Sequence, residues 1–195
     1  IYELIRKKSN FERFDQNVRE LSKMCVGIKT DLMLNMVVIK ENYHQMSDLV
    51  GYAEEVGIKY LDFTLFNLAS VTDIERSYYE FYKSPQFLEA LDNLEDEIKK
   101  SKSVIVTNRN FKTENSFQKC PFPWTHFYIC WNGFVTPCCV KPFPKEMNFG
   151  NVFESSVIEV LNSPKFQNFR KLWYKDITPE FCNKCNFTDI EPIKK

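Results

Sequence analysis

The placement of cysteine constrains this chain more than any other feature: of seven cysteines in 195 residues, Cys25 stands alone and the other six follow residue 119. Cys182 and Cys185 close that run as a C-x2-C pair. Two thiolates at this spacing can converge on one metal centre from a tight turn, a chemistry shared by zinc and iron–sulfur clusters. The pair needs partners, and a hairpin offers them. Phe127–Trp131 and Phe134–Thr136 flank Asn132-Gly133, the strongest short hairpin signal, which predicts a type I′ turn with positive φ at both central residues. Cys120 enters the first strand and Cys138 leaves the second, so the hairpin would bring them together. Cys120, Cys138, Cys182 and Cys185 would then make a complete four-thiolate shell.

Spacing alone leaves an iron–sulfur cluster, structural zinc and a fortuitous or disulfide arrangement open. Zinc ribbons commonly present two C-x2-C knuckles and this chain has one, which tilts the balance toward iron. A secreted disulfide scaffold would be shorter and more evenly stapled. A metal or cluster site in a reducing cytosol fits better, so a cytoplasmic location is expected.

Formal net charge is zero, so no long-range field favours nucleic acid or an anionic membrane, and neither is expected as a partner. The apolar runs fall short of the roughly 20 residues that span a bilayer. With 44% hydrophobic residues, the chain can build one good core, or one core plus a small satellite domain. It begins at Ile1 rather than methionine, which reads as a piece of a longer protein.

The first hundred residues alternate helix and strand. Ser9 and Glu12 have capping-box spacing, and Phe11, Phe14, Val18, Leu21 and Cys25 follow at helical intervals, making Cys25 a core residue. Leu32–Ile39 predicts a strand buried on both faces. Asn42 and Gln45 repeat the capping spacing before a stripe ending at Gly57, where a C-cap glycine belongs. Ile58–Phe66 and Ser103–Thr107 predict two more strands, with a helix opened by Ser84-Pro85 between them. Such alternation implies βαβ units and a parallel sheet. Three strands are too few for a closed barrel, so the expected fold is α/β, one portion of a larger barrel. Residues 108–119 are polar and irregular, a plausible linker. Beyond the hairpin, Val157–Leu161 predicts a short helix, and Ser163-Pro164 opens another carrying Phe166, Phe169, Leu172 and Trp173.

The order of motifs in the second half resembles a known family. Cys120, twelve residues, Gly133, four residues and Cys138 is similar to the C-x(9–15)-G-x4-C opening of SPASM domains in radical S-adenosylmethionine enzymes. Pro123-Trp124, Asn132-Gly133, Pro137-Cys138-Cys139, Gly150-Asn151 and Arg170 before the closing C-x2-C agree with it in order. The G-x4-C spacing picks Cys138 over Cys139, whose side chain would leave the opposite face of a strand. No cysteine follows Cys185, so the match, over about residues 118–187, is to the truncated single-cluster version called a twitch domain. The first part, residues 1–110, is similar to the second half of that family's partial (β/α) barrel, and 188–195 would be a tail.

The resemblance implies a small cysteine-rich α+β domain, hairpin plus helix, holding an auxiliary [4Fe–4S] cluster that relays electrons or supports the substrate site. It implies for the intact protein S-adenosylmethionine, a second [4Fe–4S] cluster, a small-molecule or peptide substrate, and a flavodoxin or ferredoxin as electron donor. The family's catalytic C-x3-C-x2-C is absent here: Thr178 stands where Cys182 and Cys185 would need a third cysteine. Asn35, on a strand that lines the cofactor cleft in that family, is a candidate contact to S-adenosylmethionine. The alternative is a non-catalytic binding module stabilised by zinc.

Overall fold

A computed structural model describes residues 1–69, 71, 73–107 and 120–189; the linker expected at 108–119 lies outside them. The described residues fall into two compact units, one built from 1–66 and 77–107 and the other from 120–189 together with the described part of 67–76. That short segment lies within the α/β portion in sequence, yet it groups with the cysteine-rich unit.

The first unit opens with α1 (Tyr2–Ile5) and α2 (Phe11–Met24). Asn10, not Ser9, caps α2, its side chain accepting from the Arg13 backbone N–H at 2.7 Å. Cys25 falls at the C-cap and is half-buried rather than core. β1 (Met33–Val38), β2 (Tyr60–Leu65) and β3 (Ile105–Thr107) form a parallel sheet in that order. Between them come α3 (Met46–Val56), ended by Gly57 at φ 81°, and α4 (Pro85–Lys100), with Ser84 at its N-cap. The parallel βαβ order matches the alternation in the sequence.

Leu61, Phe63 and Leu65 leave one face of β2 and are buried with Val50 and Ala53 of α3 and Phe87, Leu91 and Leu94 of α4. Tyr82 is buried among them; its hydroxyl donates to the Val38 carbonyl at 2.7 Å and accepts from the Phe66 N–H at 3.0 Å. The opposite face differs from expectation. β1 is not buried on both sides: Met33 and Val37 are exposed there. Asn35, Asp62 and Thr107 stand in register across the three strands on this face.

In the second unit α5 (Phe122–Thr125) precedes the hairpin strands β4 (Tyr128–Ile129) and β5 (Val135–Thr136). The hairpin forms where expected, but its turn is of another type. Only Gly133 of the central pair has positive φ, at 84°. The Cys130 N–H donates to the Phe134 carbonyl and the Gly133 N–H to the Cys130 carbonyl. This is a three-residue loop, a turn followed by a left-handed glycine bulge, which matches strand twist without a left-handed Asn132. The segment at Asn151 pairs with Phe134 as a further antiparallel bridge. α6 (Val157–Leu161), with a complete Ser156–Glu159 capping box, and α7 (Pro164–Tyr174) close the core. α8 (Asn186–Asp189) ends the described chain and takes in the start of the expected tail.

Gly133 is required twice, by its φ and by space. A Cβ there would meet Asn151 Oδ1 at 2.3 Å and the Phe153 ring at 2.6 Å. Gly133→Ala is expected to destabilise the second unit by about 2–4 kcal/mol, summing left-handed strain and steric overlap. Gly27→Ala has a similar φ of 82° with nothing within 4 Å, so it should lose only the strain, about 1–2 kcal/mol. Denaturant unfolding of both variants compares them; equal losses would contradict the packing argument.

Candidate metal centre

Cys120 begins the site. It is buried in the second unit's core with Val135, Phe149, Phe166, Phe169 and Trp173. Pro121 and Pro123 hold the chain in a short helical turn after it, and Arg170 on α7 fixes that turn. The Arg170 Nε donates to the Pro123 carbonyl at 2.7 Å while its guanidinium lies 4.0 Å over the Phe166 ring. The arginine-bearing helix of the sequence motif therefore positions the loop of the first cysteine.

Cys138 follows β5. The Thr136 hydroxyl donates to its carbonyl, and the Val140 and Lys141 backbone N–H groups face its sulfur. Cys139, next in sequence, is exposed. Cys130 is buried on the hairpin, its thiol directed to the Pro142 carbonyl at 4.0 Å and apart from the site. The last pair comes from a 3-10 turn at Glu180–Cys182 and the start of α8. Lys184 between them takes φ 60°, and the Thr188 hydroxyl reaches the carbonyls of Cys182 and Cys185 at 3.1 and 3.0 Å. A left-handed residue at this point reverses the chain so that both sulfurs turn inward.

These elements bring Cys120, Cys138, Cys182 and Cys185 around one cavity, completed by Phe122, Val140, Lys141, Phe181, Phe187 and Thr188. Among the described residues, no histidine or carboxylate lines it. Lys141 supplies the positive charge; its Nζ donates to the Phe181 carbonyl at 2.5 Å and lies 4.8 Å from that ring's centroid. Among the described residues, no three His, Cys, Asp or Glu side chains stand close enough to hold one metal ion. An all-sulfur, otherwise apolar donor set fits zinc or an iron–sulfur cluster and excludes the hard, oxygen-seeking cations.

Burial governs the chemistry of the metal-free thiols. It pushes Cys120 up to about 12, against one N–H from Phe122, with Cys185 and Cys138 adding to the rise. Burial also raises Cys138, against its two backbone N–H groups. Cys182 rises too, by burial first and then by the charges of Cys138, Cys120 and Cys185. Cys120, Cys138 and Cys182 are therefore held toward the protonated form until a cation replaces their protons.

Asn35 belongs to the first unit and the four cysteines to the second. Its Nδ2 donates to Asp62 Oδ2 and Thr64 Oγ1, both at 2.9 Å, and Thr107 Oγ1 donates to Asp62 Oδ1 at 2.5 Å. It is thus engaged in a polar row along the open sheet face. A residue that sequence reasoning missed is Asn67, whose Nδ2 lies 3.7 Å from Cys185 Sγ. It is 118 positions away along the chain, and no local pattern marks it.

Comparison with known proteins agrees with this geometry. Residues 120–186 match the SPASM family, described as an iron–sulfur cluster-binding domain. Over 180 residues the chain is 24% identical to the antilisterial bacteriocin subtilosin biosynthesis protein AlbA of Bacillus subtilis strain 168, covering 92% of this chain and 37% of AlbA. The fold matches crystal structures of Streptococcus suis SuiB at 16% identity. The S-adenosylmethionine-bound form gives a TM-score of 0.59, covering 93% of this chain and 43% of SuiB. A second SuiB crystal structure gives 0.58, with 93% and 44%. The chain thus spans well under half the length of these proteins.

The thiol shifts set a pH dependence. An unfolded cysteine releases its proton near the ordinary 9.0, whereas folded Cys120 holds its proton up to about 12. Between those values the unfolded chain binds fewer protons, so stability of the metal-free fold falls as pH rises. Thermal unfolding midpoints of metal-free, reduced chain should drop steadily above pH 9, and less steeply in Cys120→Ser. A flat profile in the unaltered chain would contradict the burial of these thiols.

Proposed function

Starting from a chain whose residues 120–186 are a SPASM iron–sulfur cluster-binding domain, joined to the α/β fold of radical S-adenosylmethionine proteins, we propose that it holds one auxiliary [4Fe–4S] cluster. The ligands are Cys120, Cys138, Cys182 and Cys185. The observation that carries this reading is the set of four thiols, Cys120 buried and the other three half-buried, around one cavity lined among the described residues by no histidine or carboxylate. The match of residues 120–186 to an iron–sulfur cluster-binding family supports a cluster over zinc.

Bound there, the cluster supplies one-electron transfer, in the role of a relay or of a clamp on the domain. The chain's own residues do the rest. Four thiolate ligands would fill the iron positions of such a cluster, leaving none open for S-adenosylmethionine. Phe122, Phe181 and Phe187 exclude water, and Lys141 offsets part of the thiolate charge. Backbone N–H groups of Phe122, Val140 and Lys141 face two of the sulfurs.

For the whole protein we infer a radical S-adenosylmethionine enzyme in which this chain is the C-terminal part. The exposed Met33, Val37 and Ile105 beside the polar row of Asn35, Asp62 and Thr107 support a sheet that continues into a larger barrel. Asn35 is then a contact to S-adenosylmethionine or to its neighbours on that face. The similarity to AlbA, named for bacteriocin biosynthesis, favours a peptide substrate, with a flavodoxin or ferredoxin as electron donor in the cytoplasm. No helix among the described residues is long and apolar enough to cross a membrane.

Anaerobic reconstitution tests the ligand set. The chain should take up iron and acid-labile sulfide, and alanine at any of the four positions should lose most of the iron. Cys130→Ala and Cys139→Ala should retain it. Zinc at one per chain without iron would establish the binding-module alternative instead. Loss with Cys139→Ala and retention with Cys138→Ala would move the ligand by one residue.

A further inference from the structure

The described part of 67–76 contributes no cysteine, yet it groups with the cysteine-rich unit and touches the closing C-x2-C at two places. Asn67 Nδ2 lies 3.7 Å from Cys185 Sγ and 2.7 Å from Asn186 Oδ1. Lys184 Nζ donates to the Ile74 carbonyl at 3.2 Å. The orientation of the Asn67 amide is fixed from its other end, because Oδ1 accepts the Ala69 backbone N–H at 2.9 Å. With the oxygen committed to that turn, the two N–H bonds must face Asn186 and the sulfur. Asn186 is itself buried, so its carbonyl oxygen holds one amide hydrogen in place and leaves the second for Cys185.

We propose that Asn67 is a positioning residue of the metal centre: its side-chain N–H donates to the Cys185 thiolate and raises the reduction potential of the cluster bound there. This rests on the four-thiolate reading above. Hydrogen bonds to ligand sulfurs are among the levers that set cluster potentials, and outer partners of metal ligands orient them as well. Reduction adds one electron, from an external donor, and its charge spreads onto the sulfurs. A fixed N–H dipole aimed at one of them stabilises the reduced state more than the oxidised state. The donor comes from a part of the chain remote in sequence from every ligand loop, so the potential depends on Asn67 being held against the C-x2-C turn.

The test uses the chain reconstituted anaerobically with iron and sulfide, as the unaltered sequence and as Asn67→Leu and Asn67→Asp. Iron and sulfide content is measured first, then the midpoint potential in a dithionite titration with redox mediators, followed by electron paramagnetic resonance. Both variants should retain the iron content of the unaltered chain and show a lower midpoint. Asn67→Asp should fall furthest, because it replaces a donor by a negative charge. Equal midpoints at equal iron content would overturn the inference while leaving the ligand assignment standing. Loss of the cluster from both folded variants would also overturn it, making Asn67 a scaffold for the turn. An unaltered chain that takes up no iron would overturn the ligand assignment and the inference together.

Discussion

Four cysteine side chains, one buried and three half-buried around one cavity, impose the condition on which the second unit depends. A buried thiolate is costly unless hydrogen bonds or a cation compensate it. The fold supplies partial compensation: backbone N–H groups at Cys120 and Cys138, and the ammonium of Lys141 nearby. The remainder is left for a metal centre, whose binding free energy thereby becomes folding free energy. The apolar core on the other side of Cys120 is small, and its helix α7 reaches back through Arg170 to hold the loop that follows Cys120. Core and cavity therefore share a wall.

The first unit meets a different demand. Its three parallel strands bury one face under helices and leave the other polar and open among the described residues. In-register Asn35, Asp62 and Thr107 satisfy one another there, which avoids unpaired polar groups beside the apolar core. A row so arranged can exchange its internal bonds for bonds to a polar ligand at modest expense, because each group already has a partner to return to.

Much of this was legible in sequence because local rules governed it. Gly57 ends α3 through its positive φ, Ser84-Pro85 opens α4, and Ser163-Pro164 opens α7. The alternation of apolar stripes gave the parallel sheet. Where several local signals competed, adjacent solutions won: Asn10 capped in place of Ser9, and Asn132-Gly133 adopted a bulged three-residue loop instead of a type I′ turn. Burial of β1 was over-read because an apolar run looks alike whether its second face is covered or open. The contact between Asn67 and Cys185 was invisible, since a pairing across 118 residues leaves no periodicity or spacing to detect.

The central claim is a closed, all-sulfur metal centre, and X-ray absorption at the iron edge tests it most directly. In the anaerobically reconstituted chain, the account predicts iron surrounded by sulfur alone, with iron neighbours at cluster distance and no oxygen or nitrogen in the first shell. A light-atom ligand on iron would contradict it, because one cysteine would then be missing from the shell and the site would be open to a further ligand.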